Sequence, residues 1–287
     1  MFKNKLASSH PLIIINFVLL AFTFLLNFTP FIGVDNNVNA IITVLLGLVF
    51  VLIHGSLAWG LRNIFVFLII TWLLSFFAEA IGVATGYLFG NYYYTNNLGP
   101  KLLGVPLIIQ VAYATLGYVC LMTSRYILGL VESPKKFSLL LTTALGALLM
   151  VGWDVCLDPY QSTVSGNWIW QDGGPYFGIG IHNFVGWFIT AFAFMFSYQL
   201  YATHYPEQCR LDNSSRRLWS QPIIYYAIIG LDIILVPLVG SVSEPMASPA
   251  NYVGSLNSLV YSLSLITFFV MGVPSFIAFA RLFQNKN

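Results

Sequence analysis

The sequence predicts an all-α fold: a polytopic integral membrane bundle of about eight transmembrane helices, built as a single transmembrane domain over residues 1–287. Three observations predict it. Hydrophobic residues make up 58% of the chain and charged residues only 8%, with a mean hydropathy of +0.79; in soluble domains about a quarter of residues are charged. The apolar residues gather in repeated runs of about 20, the length that crosses a bilayer as a helix. Basic residues sit between those runs, almost all on alternate connections.

Because backbone polar groups cannot stay unpaired in hydrocarbon, each apolar run reads as a helix. The spans fall near 11–31, 40–60, 63–83, 103–124, 137–157, 181–203, 220–240 and 256–280. Lys3 and Lys5 ahead of Leu12 to Leu26 imitate a secretory signal, but Asn27-Phe28-Thr29-Pro30 offers no small-residue cleavage pattern, so the first run reads as a retained span. With a cytoplasmic N-terminus, 11 of the 12 basic residues fall inside: Lys3, Lys5, Arg62, Arg125, Lys135, Lys136, Arg210, Arg216, Arg217, Arg281 and Lys286. Lys101 alone lies outside. The positive-inside rule therefore predicts an even span number, both termini cytoplasmic, and a multi-pass protein of the cell membrane.

The outer connections 84–102 and 158–180 are dense in Gly, Tyr, Trp, Asn and Pro. Such segments suit the headgroup level; the sharper reading folds them back as the rim of a substrate site. A net charge of +2 from 12 basic and 10 acidic residues carries no nucleic-acid footprint. Cys120, Cys156 and Cys209 are odd in number, without CxxC spacing, and read as small packing residues.

Glu79 lies 17 residues after Arg62, Asp154 lies 18 after Lys136 and Asp232 lies 15 after Arg217, each on an outward-running span. At 1.5 Å per residue they share one level, roughly 22–27 Å from the inner boundary. Carboxyls at depth are costly and mark functional interiors, although hydrogen-bonded acids also join helices. Asp154 and Asp158 are one turn apart and would share a helix face, where two carboxyls resist being ionised together. The segments 152–159 and 230–237 both read G-x-D-x-x-L-x-P, a weak sign of an internal repeat. His54, eight residues before Arg62, lies at another depth and reads as an interhelical histidine; His182, beside Asn183, stands at the outer mouth of the sixth span. No HExxH, CxxC, P-loop, Rossmann or G-x-S-x-G pattern occurs, so no metal, nucleotide or other cofactor is expected.

The blocks Phe77-Ala78-Glu79-Ala80 through Asn91-Tyr92-Tyr93-Tyr94-Thr95, then Leu98-Gly99-Pro100 and Gly104-Val105-Pro106-Leu107, carry a resemblance, joined by Trp153-Asp154 with Asp158-Pro159, Gly166-Asn167-Trp168-Ile169-Trp170, Tyr176-Phe177-Gly178-Ile179 and Asn183-Phe184-Val185-Gly186-Trp187. In this order, over roughly residues 60–200, they resemble the CruF-type carotenoid hydratases, a polytopic family of carotenoid biosynthesis. The resemblance implies addition of water across the terminal C1=C2 bond of an acyclic carotenoid dissolved in the bilayer. Hydrating such an alkene needs a proton donor, a surround that tolerates a tertiary cation and a held water. Asp154, Glu79 and Asp158 are accordingly expected at the acid site, with Tyr94, His182, Asn183, Trp153 and Trp187 placing substrate or water. Two alternatives remain at this stage: a secondary or proton-coupled transporter, motivated by the membrane acids, and another end-group enzyme such as a cyclase, which also protonates an alkene but excludes water.

Overall fold

The structure, a computed structural model, describes residues 10–29, 36–130, 136–209, 216–235 and 252–284. Its helices are α1 Pro11–Leu26, α2 Asn36–Ala58, α3 Leu61–Thr85, α4 Leu107–Ile127, α5 Lys136–Thr163, α6 Ile181–His204, α7 Arg216–Leu235, α8 Leu256–Thr267 and α9 Val273–Gln284. Four short strands lie between them: β1 Tyr92–Tyr94, β2 Lys101–Leu102, β3 Val105–Pro106 and β4 Trp168–Trp170. The protein is an all-α polytopic membrane bundle. Among the described residues seven helices are long and apolar enough to cross a bilayer, the last being Leu256–Gln284 with a π-helical turn at Phe268–Gly272. The first apolar helix has 16 residues, about 24 Å at 1.5 Å per residue and so shorter than the hydrocarbon core. Residues 30 and 31 of the expected first span, and 236–240 of the expected seventh, lie outside the described residues.

Two of the boundaries that differ from the sequence expectation have a local cause. The fourth span begins at Leu107 because Leu103 (φ 50°) and Gly104 (φ 84°) turn the chain between β2 and β3. The fifth runs to Thr163, through Pro159. A proline inside a helix strands the carbonyl four residues earlier; here that carbonyl, of Val155, accepts the Tyr176 hydroxyl at 2.9 Å. Pro222 in α7 strands the Leu218 carbonyl in the same way, and His54 Nε2 meets it at 2.9 Å. Nε2 must then carry the hydrogen, leaving Nδ1 to accept from the Tyr118 hydroxyl at 2.6 Å. His54 is thus the interhelical histidine its depth suggested.

Cross-helix bonds fix the directions. Asn16 bonds Gln221 at 3.3 Å and Asn27 bonds the Ile228 carbonyl at 3.2 Å, so α1 and α7 run the same way. The Tyr225 hydroxyl reaches the Thr43 carbonyl while His54 meets Leu218, so α2 runs against α7. One end of the bundle collects the α2–α3 turn, the end of α4 and the segment after α6, through Gln208 N to Trp59 O and Asn63 to Tyr205 O, each at 3.0 Å, and Arg125 to Glu207 at 2.9 Å. Lys101, bonded to the Tyr94 carbonyl at 2.6 Å, stands among the strands at the other end. The helix α4 is central: every residue from Tyr113 to Tyr126 is buried, as expected of a helix packed on all sides.

Candidate active site

Glu79 sits in the last third of α3, buried, with Gly86 ending that helix in a left-handed cap (φ 69°) whose N–H bonds the Gly82 carbonyl at 2.8 Å. The chain returns as β1, which pairs antiparallel with β4 in the register Tyr92 to Trp170, Tyr93 to Ile169 and Tyr94 to Trp168. Alternate residues of a strand face one side. Tyr92 and Tyr94 therefore turn inward together while Tyr93 is exposed, and Trp168 and Trp170 lie beside them, with Tyr92 and Trp170 ring centres 5.0 Å apart.

Beneath this cover three carboxyls line one cavity of about 40 Å³, space for about three waters. Glu79 accepts three phenol hydroxyls: Tyr92 at 2.5 Å and Tyr94 at 3.0 Å on Oε2, and Tyr113 at 2.8 Å on Oε1. Burial, and next the carboxyl of Glu79, hold the Tyr92 and Tyr94 hydroxyls well above the usual phenol range, so both remain donors. Asp154 and Asp158, one turn apart on α5, are both buried. Asp158 Oδ1 accepts the indole N–H of Trp168 at 2.6 Å and of Trp170 at 3.1 Å. The Asn183 side-chain amide, near the start of α6, donates to Asp154 Oδ2 at 3.0 Å and to Asp158 Oδ2 at 2.9 Å. The aromatic wall continues with Trp153 and Trp187, and Tyr113 stacks on Trp187 with centroids 4.6 Å apart and planes 8° from parallel.

Of the residues expected from sequence, the cavity brings together Glu79, Asp154, Asp158, Tyr94, Asn183, Trp153 and Trp187. His182 is not among them: its exposed ring packs over Gly90 and Gly180, where an added Cβ would lie 2.0 and 2.3 Å from ring atoms. Asn183 turns inward and its neighbour outward because consecutive helix positions diverge by about 100°. Asp232 shares the helix depth of the other acids but does not line the cavity. The cavity is also lined by Tyr92, Tyr113, Trp168 and Trp170, which are not among the residues expected from sequence. The two tryptophans and Tyr92 lie within the family-like blocks, and their strand spacing is the signal that identifies them; Tyr113 sits in an apolar helix with nothing local to mark it. No group of three His, Cys, Asp or Glu among the described residues is arranged to hold a metal ion.

Three acids, phenols, indoles and a carboxamide around a space for a few waters can move protons and hold water against aromatic faces. No solved structure matches the chain. Bisanhydrobacterioruberin hydratase from Haloarcula japonica is 31% identical over 119 residues, covering 41% of this chain. The chain spans 39% of that relative's length. A family described as "Carotenoid biosynthesis protein" matches residues 39–250, a stretch that contains every cavity-lining residue, and the chain belongs to this family.

Proposed function

We propose that this protein is a carotenoid hydratase that adds water to the terminal C1=C2 bond of an acyclic carotenoid end group in the cell membrane. The observation that carries the reading is the single cavity in which Asp154, Asp158 and Glu79 meet an aromatic wall of Tyr113, Trp153 and Trp187. Protonation at C2 leaves a tertiary cation at C1. Aromatic faces attract a cation, and water within the cavity captures it to give a tertiary alcohol. The similarity to the hydratase named above supports a carotenoid-modifying role. Nothing is oxidised or reduced, so the reaction calls for no redox cofactor.

Hydrogen-bond capacity separates the two aspartates. Asp158 accepts three N–H bonds, from two indoles and an amide, and none of these N–H groups accepts in return. Asp154 accepts Asn183 on Oδ2, so a proton held by the pair belongs on Asp154, which is the acid. The carboxyl and carboxamide groups set into the aromatic wall can hold a water, which favours water capture over cyclisation, a reaction that requires a dry cation. A transporter reading draws no support from acids gathered at one site beneath a strand cover.

Expression in a lycopene-producing bacterium, with mass analysis of the pigments, tests the proposal. A product heavier by one water supports it. Unchanged pigment or a cyclised isomer of the same mass overturns it.

A further inference from the structure

We infer that the cavity divides the two proton transfers between its walls: Asp154 delivers a proton to C2 of the alkene, and Glu79, held by Tyr92, Tyr94 and Tyr113, takes the proton that water sheds as its oxygen bonds to C1. This rests on the hydration reading above and assigns the second half of it. The two walls differ in the kind of donor they use. On the α5 side the partners are indole and amide N–H groups, which donate only. On the α3 side all three partners are phenols, and a hydroxyl donates and accepts, so it can pass a proton along.

Water attacking a cation becomes a strong acid as the C1–O bond forms, and a base must collect its proton. Glu79 can take it because a phenol partner, unlike an indole or amide N–H, can turn from donor to acceptor when the carboxyl gains a proton. Tyr94 places its hydroxyl on Glu79 while its ring lies 6.0 Å from that of Trp168, whose indole N–H serves Asp158. Tyr94 therefore touches both the Glu79 carboxyl and a tryptophan that serves Asp158. The balance closes. Asp154 loses one proton to C2, water adds OH to C1 and gives one proton to Glu79, and that proton returns to Asp154 through the phenol hydroxyls and cavity water. The bond broken is the C1=C2 π bond, and the net change is one added water.

The division predicts that protonation survives without water capture. In D₂O, Asp154 carries deuterium. Once it has deuterated C2, its carboxylate can remove a proton from an end-group methyl, returning a labelled alkene. Purified full-length protein in lipid, given lycopene in D₂O, reads both steps by mass analysis: deuterated alcohol for hydration and deuterium in recovered alkene for protonation. Glu79→Gln is expected to lose hydration by about 10²-fold or more while still labelling the alkene; Asp154→Asn is expected to lose both. Tyr113→Phe, which keeps the ring and removes one hydroxyl from Glu79, is expected to lower hydration and keep labelling, and it serves where Glu79→Gln does not reach the membrane. Loss of labelling together with hydration in Glu79→Gln and in Tyr113→Phe, or full hydration by Glu79→Gln, overturns the division. A parent protein that yields no alcohol instead overturns the hydratase reading itself.

Discussion

Asp154 and Asp158 take hydrogen bonds from one and the same amide nitrogen, that of Asn183, at 3.0 and 2.9 Å. The arrangement ties α5 to α6 at the level of the cavity and makes the two aspartates unequal, because only Asp158 is also held by Trp168 and Trp170. The structural and chemical parts of the cluster can therefore be separated by substitution.

Asp154→Asn can present its carbonyl oxygen to Asn183, so the fold keeps its bond while the transferable proton is gone. Hydration should fall about 10²–10⁴-fold with little change in thermal stability. Asp158→Asn cannot satisfy all three donors: with its oxygen toward the indoles, its NH₂ faces the NH₂ of Asn183. A buried donor left unpaired costs about 1–3 kcal/mol. Thermal unfolding in detergent should therefore drop clearly for Asp158→Asn and hardly for Asp154→Asn. Equal melting temperatures for the two variants would show that the asymmetry has no energetic weight.

A buried ion pair closes the opposite end. Arg125 Nη1 reaches both carboxyl oxygens of Glu207, at 2.9 and 2.8 Å, with Tyr198 donating to the same carboxyl at 2.9 Å and Trp59 facing the guanidinium at 5.3 Å. Removing one partner leaves a buried charge, at a cost of about 3–5 kcal/mol. Glu207→Gln should lower stability strongly, and adding Arg125→Met should restore part of it. A double variant less stable than either single one contradicts this account.

Sidedness follows from charge and bundle direction together. Tyr87, exposed near β1, and His204, exposed at the end of α6, belong to opposite ends of the bundle. In a background with Cys209→Ser, Tyr87→Cys should react with an impermeant thiol reagent from outside the cell, and His204→Cys only after the membrane is opened. Reaction of both from outside would reverse or break the topology argued from the basic residues.

Much of this was legible in the sequence because membrane spans announce themselves by length and because acids at depth are few. The shared face of Asp154 and Asp158 follows from their spacing of four, although it depends on a helix that continues through Pro159, which Tyr176 makes tolerable by capping the freed Val155 carbonyl. The strands were harder to foresee. Tyr92-Tyr93-Tyr94 shows no alternation of polar and apolar residues, so only its partner Trp168-Ile169-Trp170 indicates which side faces in. Adjacency to Asn183 in sequence means divergence on a helix, so His182 stands exposed at the start of α6 while Asn183 lines the cavity. Tyr113 was invisible because one phenol on an apolar helix signals nothing until its hydroxyl meets Glu79.

The shared G-x-D spacing of 152–154 and 230–232 has a packing explanation that needs no internal repeat. Gly152 and Gly230 face the π-helical turn Phe268–Gly272 from two different helices: a Cβ on Gly152 would lie 2.8 Å from Val270 Cγ1, and one on Gly230 would lie 3.1 Å from Met271 Sδ. Small residues let membrane helices approach closely, and a π turn is a wider element to accommodate. The two neighbours yield differently. Valine is stiff at χ1, whereas methionine bends around an intruding atom. Alanine in a helix interior also gains about 0.5–1 kcal/mol over glycine. For Gly152→Ala the overpacking cost of about 1–3 kcal/mol should win, lowering the melting temperature; for Gly230→Ala the two effects should nearly cancel. Restoring space with Val270→Ala should rescue Gly152→Ala and leave Gly230→Ala unchanged. If Gly230→Ala is the more damaging of the two, or if Val270→Ala fails to rescue its partner, the last span is not seated on α5 in the way described.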